Sequence, residues 1–131
     1  MSWWETVRST IKPGDLVYTP GRGLDGGRKK RPFTVASKDD SKIEVKSGDS
    51  KVPLHKECFD VAEDALVNRK HAWLRVAALH SNDTAANSLD QLIRSATKSE
   101  LARGNYVCAL LERCGLVKYS MQGRRKVIEL P

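Results

Sequence analysis

No stretch of this chain is apolar over the ~18–20 residues that a helix needs to cross a bilayer, which leads us to expect no membrane partner. The opening Met1-Ser2-Trp3-Trp4-Glu5 lacks the cationic and apolar regions of a secretory signal, so a cytoplasmic protein is expected. Cysteine is scarce. Cys58, Cys108 and Cys114 cannot all pair, and Cys108 and Cys114 occupy helix-periodic positions suited to buried free thiols. No Cys-x-x-Cys or His-x-x-x-His spacing exists, and His55, His71 and His80 are scattered, so neither a metal site nor any other cofactor is expected. Nucleophile motifs are missing too. Gly21-Arg22-Gly23 leads into charges and a proline instead of the helix that a phosphate-cradling loop requires. No internal repeat is found.

What the chain does have is 40% hydrophobic residues, enough for a packed interior, and a formal charge of +7. Its 131 residues suit one domain, or two small units sharing a core. The charge is concentrated in two places. Residues 21–31 hold five bases and one acid, a net of +4; residues 97–131 hold seven bases and three acids, also +4. Residues 61–96 balance. Concentrated cations attract polyanions by neutralising phosphates and releasing counterions. The bland alternative is a solvated surface kept soluble by its charge.

Along the chain, Trp3 or Trp4, Val7 and Ile11 share a helical face over residues 2–11, with Ser2 as N-cap. Lys12-Pro13-Gly14-Asp15 breaks that helix. Strands are predicted at Asp15–Thr19, Pro32–Ser37, Ile43–Lys46 and Lys51–Leu54, the last two joined by the turn residues Ser47-Gly48-Asp49-Ser50. This layout resembles an SH3-like barrel with a long first loop at Pro20–Arg31. A helix is predicted over Glu63–His80, with Leu66, the Arg69 stem, Ala72, Trp73, Val76 and Leu79 or His80 on its stripe. Trp73 is read there as core.

Ser88 and Gln91 make a capping box before Leu89-Asp90-Gln91-Leu92-Ile93. Thr97-Lys98-Ser99-Glu100 offers a second, opening a helix to about Cys114 that Gly115 terminates. Strands at Leu116–Ser120 and Lys126–Leu130 flank the turn Met121-Gln122-Gly123-Arg124. The order is short helix, turn, longer helix, hairpin. From Ser88 through Leu111-Glu112-Arg113-Cys114-Gly115-Leu116-Val117 the chain resembles the winged helix-turn-helix superfamily, whose hairpin is the wing. It departs from that pattern at Gly104-Asn105, where many such regulators carry a β-branched residue. Gly104 therefore marks a tight helix crossing, or an early break that starts the helix at Asn105 instead.

The expected fold class is α+β: an SH3-like small β-barrel with its N-terminal helix over residues 1–61, then a winged helix over 62–131. The resemblance implies double-stranded DNA as partner. On a helical wheel Leu101, Gly104, Val107, Cys108, Leu111 and Cys114 face inward, leaving Lys98, Ala102, Asn105, Tyr106, Ala109 and Arg113 outside with Arg103 at the flank. Asparagine can bond adenine, and arginine guanine, bidentately in a major groove. Lys98, Arg103, Asn105 and Tyr106 are expected to carry the groove contact and Arg113 to reach phosphate. Lys118, Arg124, Arg125 and Lys126 would lie along the backbone or minor groove, and Arg28, Lys29, Lys30 and Arg31 would add a second phosphate contact. RNA is a further candidate, and the main alternative is a protein-interaction adaptor using the winged face or barrel groove. A monomer is expected. The best catalytic fragment, Glu44-Val45-Lys46 with Asp39 and Asp40 upstream, has the letters of a metal-dependent nuclease but lacks the supporting core. A non-catalytic role is expected.

Overall fold

The computed structural model describes residues 1–19, 31–76, 88–99, 101–123 and 125–131, with the backbone alone for Arg125. Its elements are α1 (Trp3–Thr10), β1 (Leu16–Tyr18), β2 (Pro32–Lys38), β3 (Lys42–Ser47), β4 (Ser50–His55), α2 (Lys56–Glu63), β5 (Leu74–Arg75), α3 (Leu89–Thr97), α4 (Gly104–Arg113), β6 (Lys118–Gln122) and β7 (Arg125–Glu129). Together they form a mixed α+β fold with a four-stranded and a three-stranded antiparallel sheet. No helix among the described residues is long and apolar enough to cross a membrane.

The Ser2 hydroxyl accepts the Glu5 N–H at 3.1 Å, starting α1 as its sequence dictates. Both tryptophans, Val7 and Ile11 are buried. At the other end, the Lys38 ammonium donates to the carbonyls of Arg8 and Ile11, which the end of the helix would otherwise leave unpaired. Gly14, at φ +96°, makes the turn into β1, and its N–H is held by the Val35 carbonyl.

The first sheet has the order β1-β2-β3-β4. Its inward residues are Val17, Phe33, Val35, Ile43, Val45, Val52 and Leu54, all buried, with polar or exposed residues between them. A bulge between Val35 and Ser37 bends β2. The predicted turn at Ser47–Ser50 closes the β3–β4 hairpin.

Between the sheets the structure corrects the sequence reading. The helix expected at 63–80 starts earlier, at Lys56, and ends by Asn68 in one wide turn in which the Arg69 N–H reaches the Asp64 carbonyl. Arg69 is exposed and pairs with Asp64 at 2.9 Å, so its stem does not extend an apolar stripe. Lys70 then takes a left-handed conformation (φ +56°), Leu74–Arg75 is a strand, and Trp73 is half-buried. Position 61/62, where the boundary between two units is expected, lies inside α2. The second sheet has the order β5-β7-β6, and one continuous core runs from Trp3 through Phe59 and Ile93 to Ile128.

Candidate nucleic-acid interface

Ser88 caps α3 as its sequence predicts, its hydroxyl accepting the Gln91 N–H at 3.0 Å. The helix runs through Ser95-Ala96-Thr97, further than expected, and stops where Lys98 turns left-handed (φ +52°). The second capping box does not form. Thr97 donates its hydroxyl back to the Ile93 carbonyl, and α4 begins only at Gly104.

The cap of α4 comes instead from another helix. Asp90, the second residue of α3, accepts the N–H groups of Arg103 and Gly104 at 3.0 Å each through one oxygen. Its other oxygen is 3.1 Å from the Arg94 guanidinium. A carboxylate at a helix N-terminus gains from orphan donors and from the helix dipole together. The arrangement also brings α3 and α4 so close that a Cβ on Gly104 would sit 2.6 Å from the Val76 carbonyl oxygen and 3.1 Å from the Asp90 Cβ. Of the two expectations for Gly104, the close approach is found; the helix starts at Gly104 itself, not at Asn105, because Asp90 caps it there.

Arg103, expected among the DNA contacts, is 2% exposed and turned inward. Its guanidinium donates to the Pro53 carbonyl at 3.2 Å and to the Thr97 hydroxyl, and lies 3.3 Å from His55 Nδ1. A guanidinium has no lone pair, so His55 Nδ1 must be the acceptor in that contact. Nothing local in the sequence announces this, because two of the acceptors lie about fifty residues upstream, on β4. Asp90 was equally hard to read: in the sequence it is only an acid in the first turn of α3.

The outward side expected for α4 divides in the same way. Asn105 and Arg113 are exposed, as are Lys98 and Ala102 before the helix. Ala109 is buried, and Tyr106 is half-buried with its ring edge-on to Phe33 at 5.1 Å. The helix packs on β1 and α1. Leu101, expected inward, is 44% exposed instead.

In the hairpin, Lys118 is exposed and 3.6 Å from Glu129, and the Lys126 ammonium lies 5.5 Å from the centre of the Tyr119 ring. The rungs Met121↔Lys126 and Gln122↔Arg125 continue toward the turn, beyond the Val127 and Ile128 that β5 pairs with. Burial, with Cys108 and Glu112 nearby, pushes the Tyr119 phenol well above the usual tyrosine range. Arg31 is exposed, its N–H bonded to the Thr19 hydroxyl. Arg28, Lys29, Lys30 and Arg124 lie outside the described residues, as does the side chain of Arg125.

The acids of the nuclease-like fragment have other work. The Asp39 carboxylate accepts from Ser41 N–H, Ser41 hydroxyl and Lys42 N–H, which holds its pKa down. Asp40 pairs with Arg8 at 2.6 Å, and Glu44 lies 4.0 Å from Lys51. Among the described residues no three His, Cys, Asp or Glu side chains gather as metal ligands would. Cys58, Cys108 and Cys114 are all unpaired thiols. No family model, curated protein or solved structure matches the chain.

Proposed function

We propose that the protein binds double-stranded DNA without catalysis, gripping the phosphate backbone more than reading bases. The observation that carries this is the connectivity after β4. Among the described residues, helix, strand, helix, helix and a two-stranded hairpin follow in order, with the hairpin's second strand central in β5-β7-β6. That is the order of a winged helix-turn-helix, and the hairpin carries Lys118, Arg124, Arg125 and Lys126 in its sequence. On this reading the first sheet is a small SH3-like unit that buttresses the winged unit.

The enclosure of Arg103, Tyr106 and Ala109 limits what α4 can do in a groove. Lys98, Ala102, Asn105 and Arg113 remain available, and they favour contacts at the groove's edge. Binding should therefore tolerate sequence and fall steeply with salt. The test is fluorescence anisotropy with a random-sequence duplex at several salt concentrations. Replacing Arg124 and Arg125 with alanine should weaken binding to every duplex and flatten the log–log salt slope by about 1.8, the value for two lost phosphate contacts. An unchanged slope removes the hairpin as a contact.

A protein-interaction adaptor is the second reading. An open cleft of about 380 Å³ between the end of α2's wide turn and β7 exposes Val67 and Leu130 beside Lys70, His71 and Glu129. Partner binding there would respond weakly to salt, which separates it from the first reading.

A further inference from the structure

We infer that the outer face of the first sheet is a second nucleic-acid surface, one that takes a single strand by stacking a base on Tyr18. The inner face of this sheet is fully used by the core, but the outer face has an unusual composition. Leu16 and Tyr18 are 50% and 52% exposed, two residues apart on β1, and so point the same way. Their cross-strand partners are Thr34 and Pro32, both exposed. An exposed tyrosine between a leucine and a proline gives the core no packing.

The charge around this strip is what selects its occupant. One rung crosses all four strands as Leu16, Thr34, Lys46 and Lys51. At ~4.8 Å per strand, the lysines begin roughly 10 Å from the apolar pair. Arg31, one residue before Pro32 and bonded to Thr19, falls by alternation on the opposite side, so the cations of this face are the two lysines. Lys46 has no ion-pair partner among the described residues, and the one acid on the adjacent rung, Glu44, is 4.0 Å from Lys51. An aromatic ring flanked by cations on a pleated sheet is the arrangement that holds single strands: bases stack on the ring while phosphates run past the ammonium groups. A duplex hides its base faces and cannot use the ring. A peptide strand would gain from the apolar strip but would leave Lys46 unanswered unless it were acidic.

This surface does not depend on the hairpin reading, and the two can be tested separately. The assay is fluorescence anisotropy of the full chain with a labelled oligothymidylate and, in parallel, a labelled blunt duplex. Tyr18→Ala should weaken oligothymidylate binding about 5- to 150-fold, the range of losses for one stacked base. Tyr18→Phe should restore it to within about twofold, since the ring is kept. Lys46→Glu with Lys51→Glu should weaken it further and flatten its salt slope. Duplex affinity should stay unchanged in all three variants. Tyr18 is half exposed, and matching circular-dichroism melts would show that each variant is folded. Failure of the oligothymidylate to bind, or equal binding by wild type and Tyr18→Ala, would overturn the inference. So would an equal loss for Tyr18→Ala and Tyr18→Phe, because the ring would then not be what matters.

Discussion

A methyl group on Gly104 sets two opposing effects against each other. Alanine favours a helix over glycine by up to about 1 kcal/mol, and less at the first turn, so Gly104→Ala could stabilise the protein. Against this, the new Cβ would lie 2.6 Å from the Val76 carbonyl oxygen, where ordinary contact begins near 3.4 Å. Neither side is free to move. Val76 is tied through its N–H to the Lys126 carbonyl at 3.3 Å, and Gly104 through its own N–H to Asp90 at 3.0 Å. Relief therefore strains a backbone hydrogen bond or shifts α4, and overpacking of this kind costs about 1–3 kcal/mol. The clash should win by about 1–2 kcal/mol. With an unfolding entropy near 2.1 cal/mol/K per residue, that lowers Tm by roughly 4–8 °C. Differential scanning calorimetry of the two proteins measures this directly. A Tm equal to or above that of the wild type would refute the close approach of α4 to Val76.

Two further outcomes are expected. Arg103→Ala should act on stability and leave DNA affinity alone, because the side chain is buried on Pro53, His55 and Thr97. Stranding these buried acceptors costs about 2–4 kcal/mol, visible as a lower urea midpoint. Loss of duplex binding by a variant with an unchanged urea midpoint would return Arg103 to the interface. In the native protein, Cys108 should resist iodoacetamide, since burial both shields the thiol and pushes its pKa far up. Cys58 and Cys114 are also shifted up, chiefly by burial, so any labelling of them should still be climbing with pH above about 10, where a free thiol levels off. Mass spectrometry of the labelled chain checks both points; rapid modification of Cys108 at pH 8 would contradict its burial.

The parts of the fold legible in the sequence are those governed by neighbours along the chain. Ser2 and Ser88 cap helices three residues away, Gly48 sits at positive φ in a predicted turn, and the alternation in β3 survives intact. Over 63–76 the helical period misleads because it is completed with the stem of Arg69, a side chain that pairs with Asp64 in solvent; residues 77–80 lie outside the described residues. Arg103 was misread for the opposite reason. Its acceptors belong to β4, and a helical wheel contains no information about elements packed on it. The wheel likewise puts Ala109 and Tyr106 outside, whereas Ala109 is buried and the Tyr106 ring packs on Phe33. Of the expected interface, Lys98, Asn105, Arg113, Lys118 and Arg31 emerge on the surface, because polar side chains favour water and their exposure needs no tertiary partner.

The guanidinium of Arg103 joins three pieces of chain: the start of α4, the end of α3 and the last strand of the first sheet. A cut between residues 61 and 62 would sever α2 and leave each fragment with half of a shared interior and one side of this buried junction. The C-terminal half is thus not a portable cassette. In any recombined or shortened gene the two sheets have to be inherited together, because they share one interior and the contacts of one buried guanidinium.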